Sequence, residues 1–202
     1  MSGKREPVLM LTVLAAVVAA FVFGPAAYRS ITADGPLVEK QAVVGGPFTL
    51  VDPLGRPVKN TDFEGKPLVL VFGFTHCPEI CPATLLNMAG WMEALGADAD
   101  KMHFAFVSVD PERDTPERMG EYMEAFDPRI TGLTGSPEQV ETSARAYRVY
   151  VRKVETGDGD YTVDHSTLTY VMDAKGRFVT MIGYSEERDK AVAKLKQAIG
   201  GT

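Results

Sequence analysis

A chain of 202 residues, 45 % hydrophobic and 24 % charged, has the composition of one ordinary globular domain, not of a disordered or collagen-like chain. Its formal charge of −6, from 21 Lys and Arg against 27 Asp and Glu, comes without a basic run. That argues against nucleic acid as a partner, because phosphate binding needs clustered cations.

The first thirty residues are a different material from the rest. Lys4 and Arg5 precede an uncharged run from Val8 to Ala27. A helix of that length rises about 30 Å, the thickness of a bilayer core. A secretory signal has a shorter apolar stretch, roughly 7–15 residues, before its cleavage site. Gly24-Pro25-Ala26-Ala27 keeps cleavage open, but length favours a retained anchor over residues 1–28. The positive charges hold the N-terminus in the cytoplasm and send everything after Tyr28 across the membrane. With no Arg- and Ser-rich transit peptide ahead of the run, the expected location is a bacterial inner membrane, single-pass, with the C-terminal domain in the periplasm.

Residues 29–44 read as a polar tether and residues 45–202 as one domain. Residues 48–51 predict a strand, and Asp52-Pro53-Leu54-Gly55 a turn. Residues 67–74 are a continuous apolar run, as in a strand covered on both faces. Residues 83–95 have helical spacing, with Leu85, Met88, Met92 and Leu95 three and four apart. The Met88/Met92 pair reads as core in preference to a copper relay. Residues 102–109 predict a second buried strand. Thr115-Pro116 opens a helix to Phe126, and Ser136-Pro137-Glu138-Gln139 is a capping box for another reaching about Tyr147. Strands follow near 149–154, 167–172 and 178–182, the last two joined by a turn at Ala174-Lys175-Gly176. Ser185 is the expected cap of a final helix that Gly200-Gly201 ends. This order describes an α/β, thioredoxin-like sandwich with a mixed central sheet, preceded by one N-terminal transmembrane helix.

The segment that carries chemistry is Gly73-Phe74-Thr75-His76-Cys77-Pro78-Glu79-Ile80-Cys81-Pro82, where a central strand leaves the sheet and enters a helix. A helix N-terminus offers unpaired N–H groups and a positive dipole, which favour thiolate. Cys77 and Cys81 are one helical turn apart, so both sulfurs can face one side. Pro78 or Pro82 could each take the first helical position, which leaves the helix start ambiguous by a turn. A buried structural pair or a plain disulfide is the competing reading. It is weakened because these are the only cysteines in the chain. Reductants of thioredoxin type use a two-residue spacer, whereas a third residue widens the bite toward two thiolates on one soft metal ion, Cu(I), zinc or iron–sulfur. Zinc wants a fourth ligand.

An added imidazole would make a three-coordinate site suited to copper. His76 adjoins Cys77, but a neighbour in extended chain points to the opposite face. His103 stands in a predicted strand and reads as a packed histidine. His165 ends Gly157-Asp158-Gly159-Asp160-Tyr161-Thr162-Val163-Asp164-His165, a Gly/Asp-rich loop feeding a strand, and loops carry ligands. Chemistry alone favours His165, with Asp164 either orienting the ring or forming a turn. Asp110, Glu112 and Asp114 form an acidic run that reads as capping and solvated surface charge, with partner docking as the alternative. Gly45-Gly46-Pro47 lacks the lysine and hydroxyl residue of a phosphate loop.

Residues 45–200 resemble the Sco/SenC family. The resemblance is carried by GFTHCPEICP (Gly73–Pro82), SVDPERDTPE (Ser108–Glu117), LTGSPEQV followed by ARAYRVY (Leu133–Tyr150), and YTVDHS (Tyr161–Ser166). It implies a thioredoxin-fold copper chaperone for cytochrome c oxidase assembly behind a membrane anchor. It also implies that Cu(I) or Cu(II) is held by Cys77, Cys81 and His165. The implied partners are the copper-bearing oxidase subunit, with delivery at its CuA centre, and thiol reductants or other copper carriers. The family varies before the first cysteine, so nothing transfers to His76, which stays open as a transient ligand. Such a protein is a metallochaperone in preference to an enzyme. The alternative is a thiol-disulfide oxidoreductase that reduces the acceptor's cysteines through a redox-active Cys77–Cys81 disulfide. A peroxide reductase is a weaker third reading.

Overall fold

The computed structural model describes residues 43–157 and 159–201. The expected anchor, residues 1–28, and most of the tether lie outside them. Among the described residues no helix is long and apolar enough to cross a membrane.

Residues 43–45 are already tied to the domain: the Gly45 N–H donates to the Ala146 carbonyl at 2.9 Å, and Arg148 Nε reaches the Val43 carbonyl. A short antiparallel pair follows, β1 (Thr49–Val51) and β2 (Pro57–Lys59), joined by the expected turn, where Gly55 takes φ 72°. A bridge between Val51 and Thr134 fastens this pair to the body of the domain.

The centre is a five-stranded mixed sheet in the order β5-β4-β3-β8-β9. β3 (Leu68–Gly73) lies parallel to β4 (His103–Ser108), and β4 parallel to β5 (Ile130–Leu133). β8 (Thr169–Met172) runs antiparallel to β3 and to β9 (Phe178–Ile182). Every residue of β3 is buried, which is what its unbroken apolar run requires of a strand covered on both faces. α1 (Ile80–Leu95) turns Leu85, Met88, Met92 and Leu95 into the core and packs beside α4 (Arg188–Gly200). The methionine pair is therefore core. α2 (Pro116–Met123) lies against β5, and α3 (Pro137–Ala146) against β1.

The helix signals held where side-chain capping drives them. Thr115 Oγ1 accepts from the Arg118 N–H with Pro116 behind it, and Ser136 and Gln139 form the reciprocal capping box. Ser185 does not cap the last helix. Glu187 occupies that position without a side-chain bond, and one residue, Glu186, separates it from the expected serine.

The larger correction concerns the Gly/Asp-rich segment. It is not a loop. β6 (Val151–Gly157) and β7 (Asp160–His165) form their own two-stranded antiparallel ribbon, separate from the central sheet. β6 meets the strand expected near 149–154, whereas β7 buries only Val163 of its six residues, too little apolar surface to mark a strand in the sequence.

Candidate functional site

β3 delivers the cysteine segment. Its last residue, Gly73, accepts from the Val109 N–H at 2.8 Å, so the strand is paired to its final carbonyl. A Cβ at Gly73 would stand 2.6 Å from the Cys81 sulfur and 2.6 Å from the Phe106 ring, so only glycine lets the sulfur lie against the strand. Beyond it the chain tightens, the Cys77 N–H donating to the Phe74 carbonyl, and α1 starts at Ile80. Neither proline takes the first helical position. Pro82 sits third, where its missing N–H has no partner to lose. The N-cap residue Glu79 makes no side-chain cap bond, and the Cys77 sulfur accepts from the Cys81 N–H at 3.4 Å.

Both cysteines are free thiols. The Cys77 thiol is pulled down to about 3, first by the hydrogen bond from the Cys81 side chain. His165 and the N–H groups of Cys81 and Glu79 act in the same direction against the cost of burial. Cys81 is pushed upward by sharing that hydrogen bond and by its own burial. The pair therefore keeps one proton on Cys81 and presents Cys77 as thiolate.

His165 is the last residue of β7, opposite Val151. Its Nε2 lies 3.8 Å from the Cys81 sulfur. Its Nδ1 is 2.9 Å from the Ser166 carbonyl, which can only accept, so Nδ1 carries a proton and Nε2 is the ring nitrogen turned to the sulfur. The edge of Phe74 packs on the ring at 5.8 Å between centroids. The structure thus brings His165 to the thiols and leaves the other two histidines out. His103 packs edge-on against Phe63 at 5.5 Å, half-buried. His76 is exposed, with Nδ1 3.1 Å from Thr75 Oγ1. Asp164 does not orient the imidazole. Strand alternation turns it away to pair with Arg152 at 2.7 Å. Among the described residues no three His, Cys, Asp or Glu side chains are gathered tightly enough to hold a metal ion as they stand.

The acidic run is the site feature that sequence reasoning missed. Asp110 and Asp114 are buried, and only Glu112 is solvated, paired with Lys153. The Asp114 carboxylate accepts from the Thr75 N–H at 3.0 Å, from Thr75 Oγ1 at 2.6 Å and from Ser108 Oγ at 2.6 Å. It is the fastener of the segment just ahead of Cys77. Local sequence shows only three acids in five residues, Asp110 to Asp114, and the donors lie elsewhere in the chain.

A thioredoxin-like domain with two free thiols at a strand-to-helix turn and an imidazole brought in by a separate ribbon is the class these features define. The match to the SCO1/SenC family model runs over residues 38–200, so the chain belongs to the SCO1/SenC family. It is 43 % identical over 160 residues to the Arabidopsis thaliana "Protein SCO1 homolog 1, mitochondrial", covering 77 % of this chain and 47 % of that protein. It is 36 % identical over 159 residues to "Protein SenC" of Rhodobacter capsulatus, covering 79 % and 70 %. Against several curated relatives the chain spans about half their length, as with the 47 % and 56 % covered in two of them. Among solved structures it is similar to Bradyrhizobium japonicum ScoI with copper bound, at 46 % identity and TM-score 0.72, covering 77 % of this chain and 99 % of that one. Arabidopsis thaliana ScoI with copper bound gives 40 % and 0.74, covering 79 % and 99 %.

Proposed function

We propose that this chain is a membrane-anchored copper carrier that holds Cu(I) or Cu(II) through Cys77, Cys81 and His165. It delivers the ion to the copper-bearing subunit of cytochrome c oxidase, at the CuA centre. In this reading residues 1–28 anchor it in a bacterial inner membrane, residues 29–44 are the tether, and residues 45–202 work in the periplasm. Thiol reductants or other copper carriers supply the reduced, loaded form. Two relatives at 40 % identity or more, solved with copper bound, support the choice of metal.

The observation that carries the reading is the 3.8 Å gap between Cys81 Sγ and His165 Nε2. Metal–sulfur and metal–nitrogen bonds of about 2.3 and 2.0 Å, set at a trigonal angle, span their donors by about 3.7 Å. The facing atoms are a soft sulfur and an imidazole nitrogen, both of which suit copper. Cys77, already a thiolate, supplies the third. Binding then displaces one proton, from Cys81; thiol–disulfide exchange with an external disulfide, which takes the two electrons and is reduced to two thiols, joins the pair as a disulfide, removes two of the three donors and releases the ion.

A thiol-disulfide oxidoreductase is the second reading, favoured by the depressed Cys77 thiol beside a proton-holding Cys81. Anaerobic copper titration of the reduced protein against a competing chelator separates the two, with reduction of a disulfide substrate assayed in parallel. His165→Ala is expected to weaken copper binding at least about tenfold. If affinity is unchanged while reductase activity survives, the carrier reading fails.

A further inference from the structure

The ribbon that carries His165 is held down by a cluster outside the thiol site. Arg113, on the loop between β4 and α2, sends Nε to Asp110 and Nη1 to the Tyr161 carbonyl at 2.9 Å. Its guanidinium lies 3.7 Å from the centre of the Tyr161 ring, and Lys153 Nζ lies at 3.7 Å from the same centre. The Tyr161 hydroxyl donates to the other oxygen of Asp110 at 2.8 Å. The guanidinium also stands 5.9 Å from the Phe74 ring, the one that packs on His165. Tyr161 is thus gripped at carbonyl, ring and hydroxyl, four residues before the imidazole and on the same strand.

We propose that Arg113 and Tyr161 are positioning residues for His165. They clamp the β6–β7 ribbon so that the imidazole sits over Cys81, and release of the clamp carries His165 off the thiols. The inference rests on the copper reading of the site. Two features suit a clamp that opens. The ribbon has no strand partner in the central sheet, so its place depends on side chains. Arg113 Nη2 is buried without a hydrogen-bond partner, so closure leaves one donor unmet that water satisfies on opening. The cation–π contacts and the shared carboxylate offset that cost in the closed state.

The test uses the full chain in detergent, reduced and anaerobic, with Cu(I) partitioned against a chromogenic chelator. Arg113→Gln is expected to lower Cu(I) affinity about tenfold, and Arg113→Lys less, because the ammonium keeps the ring contact but cannot grip Asp110 and the Tyr161 carbonyl together. The double variant Arg113→Gln/His165→Ala binds no more weakly than His165→Ala alone, a silence that general destabilisation does not produce. Hydrogen exchange should quicken across the ribbon and stay unchanged in β3 and β4. Additive losses in the double variant, or unchanged ribbon exchange in Arg113→Gln, overturn the clamp. Should Arg113→Gln fold poorly, Tyr161→Phe removes only the hydroxyl grip and is read by the same two measurements. If His165→Ala binds copper as wild type does, the copper reading falls, and ribbon exchange alone then decides whether Arg113 holds the ribbon.

Discussion

The two halves of the candidate site are built by opposite means. The thiols stand at the end of β3, a fully buried strand paired on both sides, and their loop is fastened to a buried carboxylate. The imidazole stands at the end of a two-stranded ribbon with mostly exposed residues, held by side chains: the Arg113–Tyr161 cluster, the Lys153–Glu112 pair and Val163 buried in the core. Main-chain pairing inside a core fixes a position at every residue, whereas a ribbon gripped by side chains is fixed at a few points. A site assembled this way has a stationary half and a half that can be withdrawn. That division suits the proposed carrier role, in which the ion has to be surrendered.

The contrast can be broken most directly at the stationary half. Cys81→Ser should reduce copper affinity more than about 100-fold, beyond the usual effect of residues that only orient ligands. The loss should exceed that of His165→Ala when both are measured by chelator competition. Equal losses would mean that the halves are not unequal.

A middle-sized effect is expected at the fastener. Asp114→Asn replaces a carboxylate that accepts from three donors by an amide with one oxygen, stranding a buried donor at a cost of about 2 kcal/mol. Thermal unfolding should fall by roughly 4–8 °C for a domain of this size. An unchanged melt would remove Asp114 from the account of why the thiol loop is rigid.

The smallest expected change is none at all. The Cys77 thiol is depressed to about 3, so thiolate dominates at every pH above that value and its fraction is saturated between pH 5 and 8. Iodoacetamide should alkylate Cys77 at a rate that stays flat over this range, followed by peptide mass analysis, with Cys81 unmodified. A rate that climbs tenfold per pH unit would make Cys77 an ordinary thiol and leave the pair without its division of labour.

The stationary half was legible in the sequence except for its Asp114 fastener, and of the other half the sequence marked only the strand near 149–154 that became β6. Unbroken apolar runs announced β3 and β4, and the Ser136–Gln139 box announced α3, because burial and capping leave local marks. The Cys-x-x-x-Cys spacing at a strand-to-helix turn named two of the proposed donors. His165 was favoured by chemistry and implied by resemblance, and its setting was misjudged as a loop because β7 buries a single residue, Val163, beside Gly and Asp residues that signal turns. Asp114 was misjudged as surface charge for a related reason. Its partners Thr75 and Ser108 are ordinary residues, and only folding shows that both hydroxyls point at one carboxylate.

Gly73 carries a last consequence. Since the Cys81 sulfur rests where a side chain would otherwise begin, its height above the sheet is fixed by bare backbone. A single methyl added there would act as a shim, tilting the first turn of α1 and opening the span between Cys81 and His165 that the proposed copper site bridges. Metal preference could therefore be retuned from underneath, by a residue that offers no donor atom of its own.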